Sequence, residues 1–315
     1  MPITQSGKVL IAAPVHPVLT DGLNAAGYQC IFQEKTTQVA AFDLIGDCTG
    51  VITSTRLQLD KELLDAAPQL QWIGRMGSGM EVIDVPYAAS KNIRCYSSPE
   101  GNCNAVAEHA LGLLLSVTKK IATSYNEVKD NKWLRDENRG GELEGKTIAV
   151  IGFGHTGSAF AKKLQGFDMR ILAYDVDPAV SVPSYAEKCD SMEPIYREAD
   201  IVSFHVPLRP DTLHYFNEAF LDNMERAFIL VNTSRGKVVS SSTLLQGLQS
   251  GKISGAALDV WEEEPLEQMN NKLKEILNRC LGYPQFIVTP HIAGYSYEAL
   301  YKMSSVLLNK IVTLK

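Results

Sequence analysis

The sequence has no uninterrupted apolar run approaching the roughly eighteen residues that a membrane-spanning helix needs, and its most hydrophobic helical stretch, "ALGLLLSV", is far shorter. The first residues, "MPITQSGKVLIAAPVHP", lack a basic segment followed by a long apolar core, so no secretory leader is expected. The six cysteines (Cys30, Cys48, Cys95, Cys103, Cys189, Cys280) form no CxxC pair and no zinc-ligand spacing. This argues against a disulfide framework, predicts reduced thiols and a cytoplasmic location, and predicts no metal. Positive charge is neither abundant nor clustered: 30 Lys and Arg are interspersed among 36 Asp and Glu, for a net charge of -6. No basic footprint for nucleic acid or for an anionic membrane is therefore expected. Neither a repeat of solenoid length nor a low-complexity tract occurs.

What is present is an ordinary globular composition, 45% hydrophobic and 21% charged over 315 residues, enough for two domains. The first hundred residues or so alternate short apolar runs with helical patterns. "KVLIAA", "YQCIF", "GVITS", "LQWIG" and "IRCY" read as strands, and "VLTDGLNAAG", "VAAFDLIGD", "DKELLDAAP" and "VPYAASKN" read as the helices between them. Strict alternation predicts a parallel sheet with helices on its faces. One long helix, "NAVAEHALGLLLSVTKKIATSYNEVKD", then leads through the polar stretch "LRDENRGGELEGK" to a second series of strands. These are "TIAVIG", "MRILAYD", "IVSFHV", "FILVNTS" and "ISGAALDV". The fold class expected is α/β, with two doubly wound parallel-sheet domains.

The first strand of the second series runs into "IGFGHTG", which places Gly152, Gly154 and Gly157 in G-x-G-x-x-G spacing before a helical pattern. In that context the first glycine permits a tight turn, the second lets backbone approach a pyrophosphate, and the third lets helix pack on sheet. The free N–H groups at the helix start, near His155 and Thr156, favour an anion, with His155 a filler at a variable position. About twenty residues on, Asp175 ends the next strand, where a carboxylate accepts from ribose hydroxyls and repels a 2'-phosphate. No arginine or serine follows at once in "DVDP", which favours NAD over NADP.

Ligands of open parallel sheets bind beyond the carboxyl ends of strands. Arg235 follows "FILVNTS", three consecutive glutamates follow "AALDVW", and His291 follows "FIVTP". Hydride transfer from a 2-hydroxy acid needs a cation for the carboxylate, a base for the hydroxyl proton, and a carboxylate to orient that base. Arg235 suits the first task by its planar fork of donors, His291 the second, and one glutamate the third. Adjacent glutamates in a loop otherwise read as hydrated surface.

The motifs "GELEGKTIAVIGFGHTG", "HVPLRPDT", "VNTSRG", "AALDVWEEEP" and "TPHIAG", in this order and together with "GNCNAVAEHALGLLL" and "GRMGSGMEVIDV", resemble the D-isomer-specific 2-hydroxyacid dehydrogenase family. The resemblance implies that Arg235 binds substrate, that His291 is the acid/base, and that Glu264, just before Pro265, pairs with it. Glu262 and Glu263 are then expected to be bland surface that tolerates loss of charge. It also implies Asp259 near the nicotinamide amide, and His205, Val206, Pro207, Thr233, Ser234, His291 and Gly294 at the cofactor. By the same resemblance residues 1–101 plus 290–315 form a flavodoxin-like substrate domain and 102–289 a Rossmann NAD domain, with a cleft between them. The helix from Asn104 implies a homodimer.

The loop Gly77 to Gly79 resembles the family segment whose backbone N–H groups hold the substrate carboxylate, which brings in Ser78 and Gly79. Arg56, Arg75 and Asn102 complete a pocket similar to that of D-3-phosphoglycerate dehydrogenases, where arginines meet a phosphate. Met80-Glu81 stands where an aspartate-asparagine is common, a departure that weighs against phosphate. The substrate expected is D-3-phosphoglycerate, in serine biosynthesis, with glyoxylate or hydroxypyruvate reduction as the alternative within the family. An NAD(H)-sensing corepressor is the alternative of another class. With two dozen residues after His291, no C-terminal serine-sensing domain is expected.

Overall fold

A computed structural model describes residues 7–313. The chain divides into two compact units, residues 1–103 with 294–315, and residues 104–293. The first holds a sheet of β1 (Gly7–Ile11), β2 (Tyr28–Phe32), β3 (Cys48–Thr53), β4 (Trp72–Arg75) and β5 (Arg94–Ser97). The strand order is β2-β1-β3-β4-β5 and every pair is parallel, which is the flavodoxin-like winding. Strands buried on both faces read as continuous apolar runs, as "VLIAA" from Val9 does. Leu10, Val51 and Ile73 point to one face, with α2 (Gln38–Ile45), α3 (Lys61–Asp65) and α4 (Val85–Ser90). Val9, Ile11, Ile52 and Trp72 point to the other, where α1 (Pro17–Ala25) and the distant α12 (Tyr297–Val312) cover them through Leu19, Leu23, Leu307 and Ile311.

The second unit begins with α5 (Pro99–Thr118), most of which lies in it, and α6 (Ile121–Lys129). The single long helix expected from the sequence is thus two, and it starts earlier than Asn104. Lys120 takes a left-handed conformation at φ 54°, and the carbonyl of Thr118 accepts from Gly141 of the returning polar segment. A side chain on Gly140 would collide with that same carbonyl, so the glycine pair packs against the end of α5 and stops it.

The seven-stranded sheet comprises β6 (Thr147–Ile151), β7 (Arg170–Tyr174), β8 (Glu187–Cys189), β9 (Ile201–Phe204), β10 (Phe228–Asn232), β11 (Ile253–Leu258) and β12 (Phe286–Val288). Its order, β12-β11-β10-β9-β6-β7-β8, is the dinucleotide-binding winding extended by one strand, again all parallel. Edge strand β8 has no apolar run to announce it; it is three residues long, with only Cys189 buried. The order reverses between β6 and β9, the switch point where such sheets take ligands. Helices α7 (His155–Leu164), α8 (Glu193–Glu198), α9 (Glu218–Asn223), α10 (Ser241–Ser250) and α11 (Asn271–Leu281) complete the unit. Phe204, Phe216, Phe220 and Phe228 meet edge-on or tilted beneath the sheet, each fully or almost fully buried. Burying one such ring contributes about 2–3 kcal/mol.

Candidate active site

All three reactive side chains singled out in the sequence belong to the second unit, at the carboxyl ends of β10, β11 and β12. At the end of β6, Gly152 has φ 87° and its N–H donates to Tyr174 O. A side chain there would strike His205 O and Val206, and one on Gly157 would strike Gly152 O at 1.9 Å. Around Gly154, which caps α7 in an extended conformation, there is open space. His155 is exposed and Thr156 half-buried at the start of the ten-residue α7. Asp175 accepts from Phe153 N at 2.7 Å and from Asp177 N at 3.0 Å, so the acid is held beside the glycine turn. A strained turn, an open helix N-terminus and a fixed carboxylate fit a dinucleotide: pyrophosphate on α7 and ribose hydroxyls on Asp175.

Two expected cofactor residues also make contacts within the protein. His205 turns its ring inward, against Phe160, with Ser203 Oγ 2.8 Å from Nε2. Loss of hydration pushes its pKa down to about 3, so the ring is neutral. Asp259, expected at the nicotinamide, is 1% exposed. Its carboxylate accepts from Thr289 Oγ1 at 2.5 Å, Ile292 N at 2.9 Å and Ala293 N at 2.7 Å, while Asp259 O accepts from His291 N at 2.8 Å. His109 of α5 adds its Nε2 2.9 Å from Thr289 Oγ1 and 3.4 Å from Asp259 Oδ1. Burial alone would raise the Asp259 pKa, but His109, Thr289 and the two amides outweigh it and the carboxyl lies below its ordinary value. Asp259 thus holds the loop that carries His291.

His291 itself has φ 55°, and its Nδ1 is 2.7 Å from Glu264 Oε2. The other Glu264 oxygen accepts from Trp261 N at 2.7 Å, which aims the carboxylate. With Nδ1 engaged, Nε2 of this partly exposed ring is the nitrogen that can exchange a proton with a ligand. Arg235 follows a turn organised by Asn232, whose Oδ1 accepts from Ser234 N and Oγ and whose Nδ2 donates to Arg235 O. Arg235 Nη1 donates to Ser234 O at 2.7 Å. Thr233 is buried beside it, and Pro207 O accepts from Thr212 Oγ1. Gly294 directly follows the Ala293 anchored by Asp259.

The expectation that Glu262 and Glu263 are bland does not hold for the first of them. Glu262 Oε1 is 2.9 Å from His214 Nε2, and Oε2 accepts from Ser241 N at 2.8 Å. Glu263 accepts from Asn270 N at 3.0 Å, and that bond holds its carboxyl below the ordinary value. Asn232, His109, Thr289, His214 and Glu262 all escaped the sequence reading. Only Asn232, a short amide ending an apolar strand, left a local signal.

In the first unit, Thr53 and Arg75 are register partners, so Arg56 and Arg75 lie at the carboxyl ends of neighbouring strands. Arg56 is exposed and donates to Glu34 O at 3.2 Å. Arg75 donates to Met76 O at 2.9 Å, and its guanidinium lies over Gly77, which has φ 128°. Gly77 N donates to Ser98 Oγ at 2.9 Å, which fixes the start of the loop. Ser78 Oγ donates to Asn102 Oδ1 at 3.1 Å, and Gly79 is buried. Among the described residues no cluster of three His, Cys, Asp or Glu is placed to hold a metal, and no helix is long and apolar enough to cross a membrane.

Residues 111–293 match the family model for the NAD binding domain of D-isomer specific 2-hydroxyacid dehydrogenases. The chain is 36% identical to a glyoxylate reductase of Thermofilum pendens over 81% of its own length and 75% of the relative's. It is 31% identical to a D-3-phosphoglycerate dehydrogenase of Archaeoglobus fulgidus over 98% of its own length but spans only 57% of that relative. Among solved structures, D-lactate dehydrogenase of Aquifex aeolicus, complexed with NAD and lactic acid, superposes with a TM-score of 0.82 at 26% identity, covering 96% of this chain and 94% of that one. The chain belongs to the D-isomer-specific 2-hydroxyacid dehydrogenase family of oxidoreductases, with NAD as its cofactor.

Proposed function

We propose that the protein interconverts a D-2-hydroxy acid and its 2-keto acid, with Arg235, Glu264 and His291 as the reacting set. The observation that carries this reading is the 2.7 Å contact between His291 and Glu264 at adjoining strand ends. NAD supplies the hydride acceptor. Glu264 holds the Nδ1–H tautomer of His291, leaving the Nε2 lone pair to take the substrate hydroxyl proton and return it in the reverse direction. Arg235 clamps the substrate carboxylate and fixes the carbon that carries the transferred hydrogen.

The substrate proposed is D-3-phosphoglycerate, with Arg56 and Arg75 at neighbouring strand ends meeting the phosphate. Their place at the ends of neighbouring strands, where Thr53 and Arg75 are register partners, and the relative of that name support it. A second reading, glyoxylate or hydroxypyruvate reduction, is supported by the reductase relative and by Arg56 resting on Glu34 O. The test is turnover with NADH of 3-phosphohydroxypyruvate, hydroxypyruvate and glyoxylate. A kcat/KM for the phosphorylated acid at least about tenfold above that for hydroxypyruvate supports the first reading, since one charged contact contributes about that factor. Equal values overturn it.

A cytoplasmic homodimer belongs to the same proposal. The six cysteines are free thiols, and α6 buries none of its residues while leaving Ile121, Tyr125 and Val128 exposed. Nearby Trp133 is 78% exposed, and an apolar face of this kind suits a second copy. Sedimentation equilibrium gives the stoichiometry; a monomer overturns the dimer.

A further inference from the structure

Glu262 stands two residues before Glu264, and its side chain is only 18% exposed. One oxygen meets His214 and the other accepts from the first N–H of α10, so the carboxylate joins two segments that are distant in sequence. The loop it belongs to also touches the Arg235 turn without room for a side chain. A Cβ on Gly236 would lie 1.6 Å from Trp261 O and 2.8 Å from Glu262 N. His214, at φ 47°, donates its N–H to Lys237 O at 2.8 Å, and Phe216 N donates to Val238 O at 3.0 Å. The residues after Arg235 are therefore bonded to the His214 segment, that segment to Glu262, and the Glu262 loop through Trp261 N to Glu264. We infer that Glu262, tied to His214 and to the N-terminus of α10, is a positioning residue that sets the Glu264–His291 pair against Arg235.

The chemistry favours this over simple loop fastening. Glu264 must aim one oxygen at His291 while the other is held by Trp261 N, and Trp261 is joined directly to Glu262, whose anchored carboxylate limits how far that residue can move. A displacement of about 1 Å in a catalytic constellation costs up to a hundredfold in rate. The inference rests on the proposed roles of Arg235, Glu264 and His291.

The test compares Glu262→Ala, Glu262→Gln and His214→Asn with the parent enzyme, using NADH and whichever of the three keto acids above it turns over. Nitrogen NMR of the His291 ring, without substrate or cofactor, is read alongside. Glu262→Ala is expected to lower kcat by about tenfold to a hundredfold while KM for NADH stays within about twofold. The His291 ring is expected to shift from the Nδ1–H form toward a mixture of tautomers. Glutamine keeps an acceptor for Ser241 N and is expected to restore most of the rate. His214→Asn, tolerated at a left-handed position, should cause a smaller fall of the same kind and carries the test should the alanine variant not fold. An unchanged kcat and an unchanged His291 spectrum in a folded Glu262→Ala protein overturn the inference. The spectrum answers separately from the rates, so activity surviving in His291→Asn would overturn the proposed function and leave the coupling of Glu262 to His291 to be judged on its own.

Discussion

At the carboxyl end of the seven-stranded sheet, the short side chains of Asn232, Asp259 and Glu264 accept from main-chain N–H groups of the loops around them. Asn232 holds the Ser234 turn, Asp259 holds Ile292 and Ala293, and Glu264 is itself aimed by Trp261 N. At the carboxyl end of the five-stranded sheet the long side chains of Arg56 and Arg75 instead donate to the carbonyls of Glu34 and Met76, as Arg235 does to Ser234 in the other unit. A short carboxylate bonded to several amides has few ways to move, whereas a long guanidinium has more rotatable bonds through which it can be re-aimed. One end is built in advance for chemistry and the other retains freedom to adapt to what it binds.

The comparison breaks first at His291. His291→Asn is expected to lower kcat by about 10²–10⁴ with NADH affinity almost intact, as read by steady-state rates and NADH fluorescence titration. Survival of the rate would mean that the rigid end is not the reacting end. Next in size is Asp259→Ala, which leaves two amides and a hydroxyl without their acceptor and is expected to cost about 3 kcal/mol in urea unfolding. Unchanged stability would refute preassembly.

The same residue predicts a pH effect. The folded carboxyl has a pKa below its ordinary 3.8, so the unfolded chain binds the proton more readily. The stabilisation is then complete above that ordinary value and is lost as pH falls through the folded value. Asp259→Asn should flatten this acid limb in unfolding curves taken from neutral pH downward, and parallel curves for the two proteins would remove Asp259 from the account. The smallest effect is expected at the adaptable end: Arg75→Ala should lower kcat/KM for 3-phosphohydroxypyruvate by about tenfold, with the value for glyoxylate changed far less. Equal losses on both acids would assign Arg75 to the loop around Gly77 and not to the phosphate.

Much of the architecture was legible because its signals are local. Glycine spacing after "TIAVI" marked the Gly152 turn, and apolar runs ending in reactive residues marked the ends of β10, β11 and β12. What failed to appear depended on contacts between distant segments. The break after Thr118 comes from Gly140 and Gly141 folding back on the helix end, more than twenty positions away, and β8 is too short to carry a periodic pattern. The contacts of His205 with Phe160 and of Asp259 with the post-β12 amides likewise join segments distant in sequence.

The run Glu262-Glu263-Glu264 shows where the division falls. By itself the sequence determined two parallel sheets, the dinucleotide turn, and arginine, glutamate and histidine at strand ends, because strand burial, glycine conformation and side-chain chemistry are properties of short segments. Only the tertiary structure decided that three adjacent carboxylates have three different sets of partners: His214 with Ser241, Asn270, and His291 with Trp261. A hydrogen bond acts over about 3 Å, and which groups come that close to a carboxylate is set by the packing of β10, β11, β12 and α10, not by its neighbours in the chain.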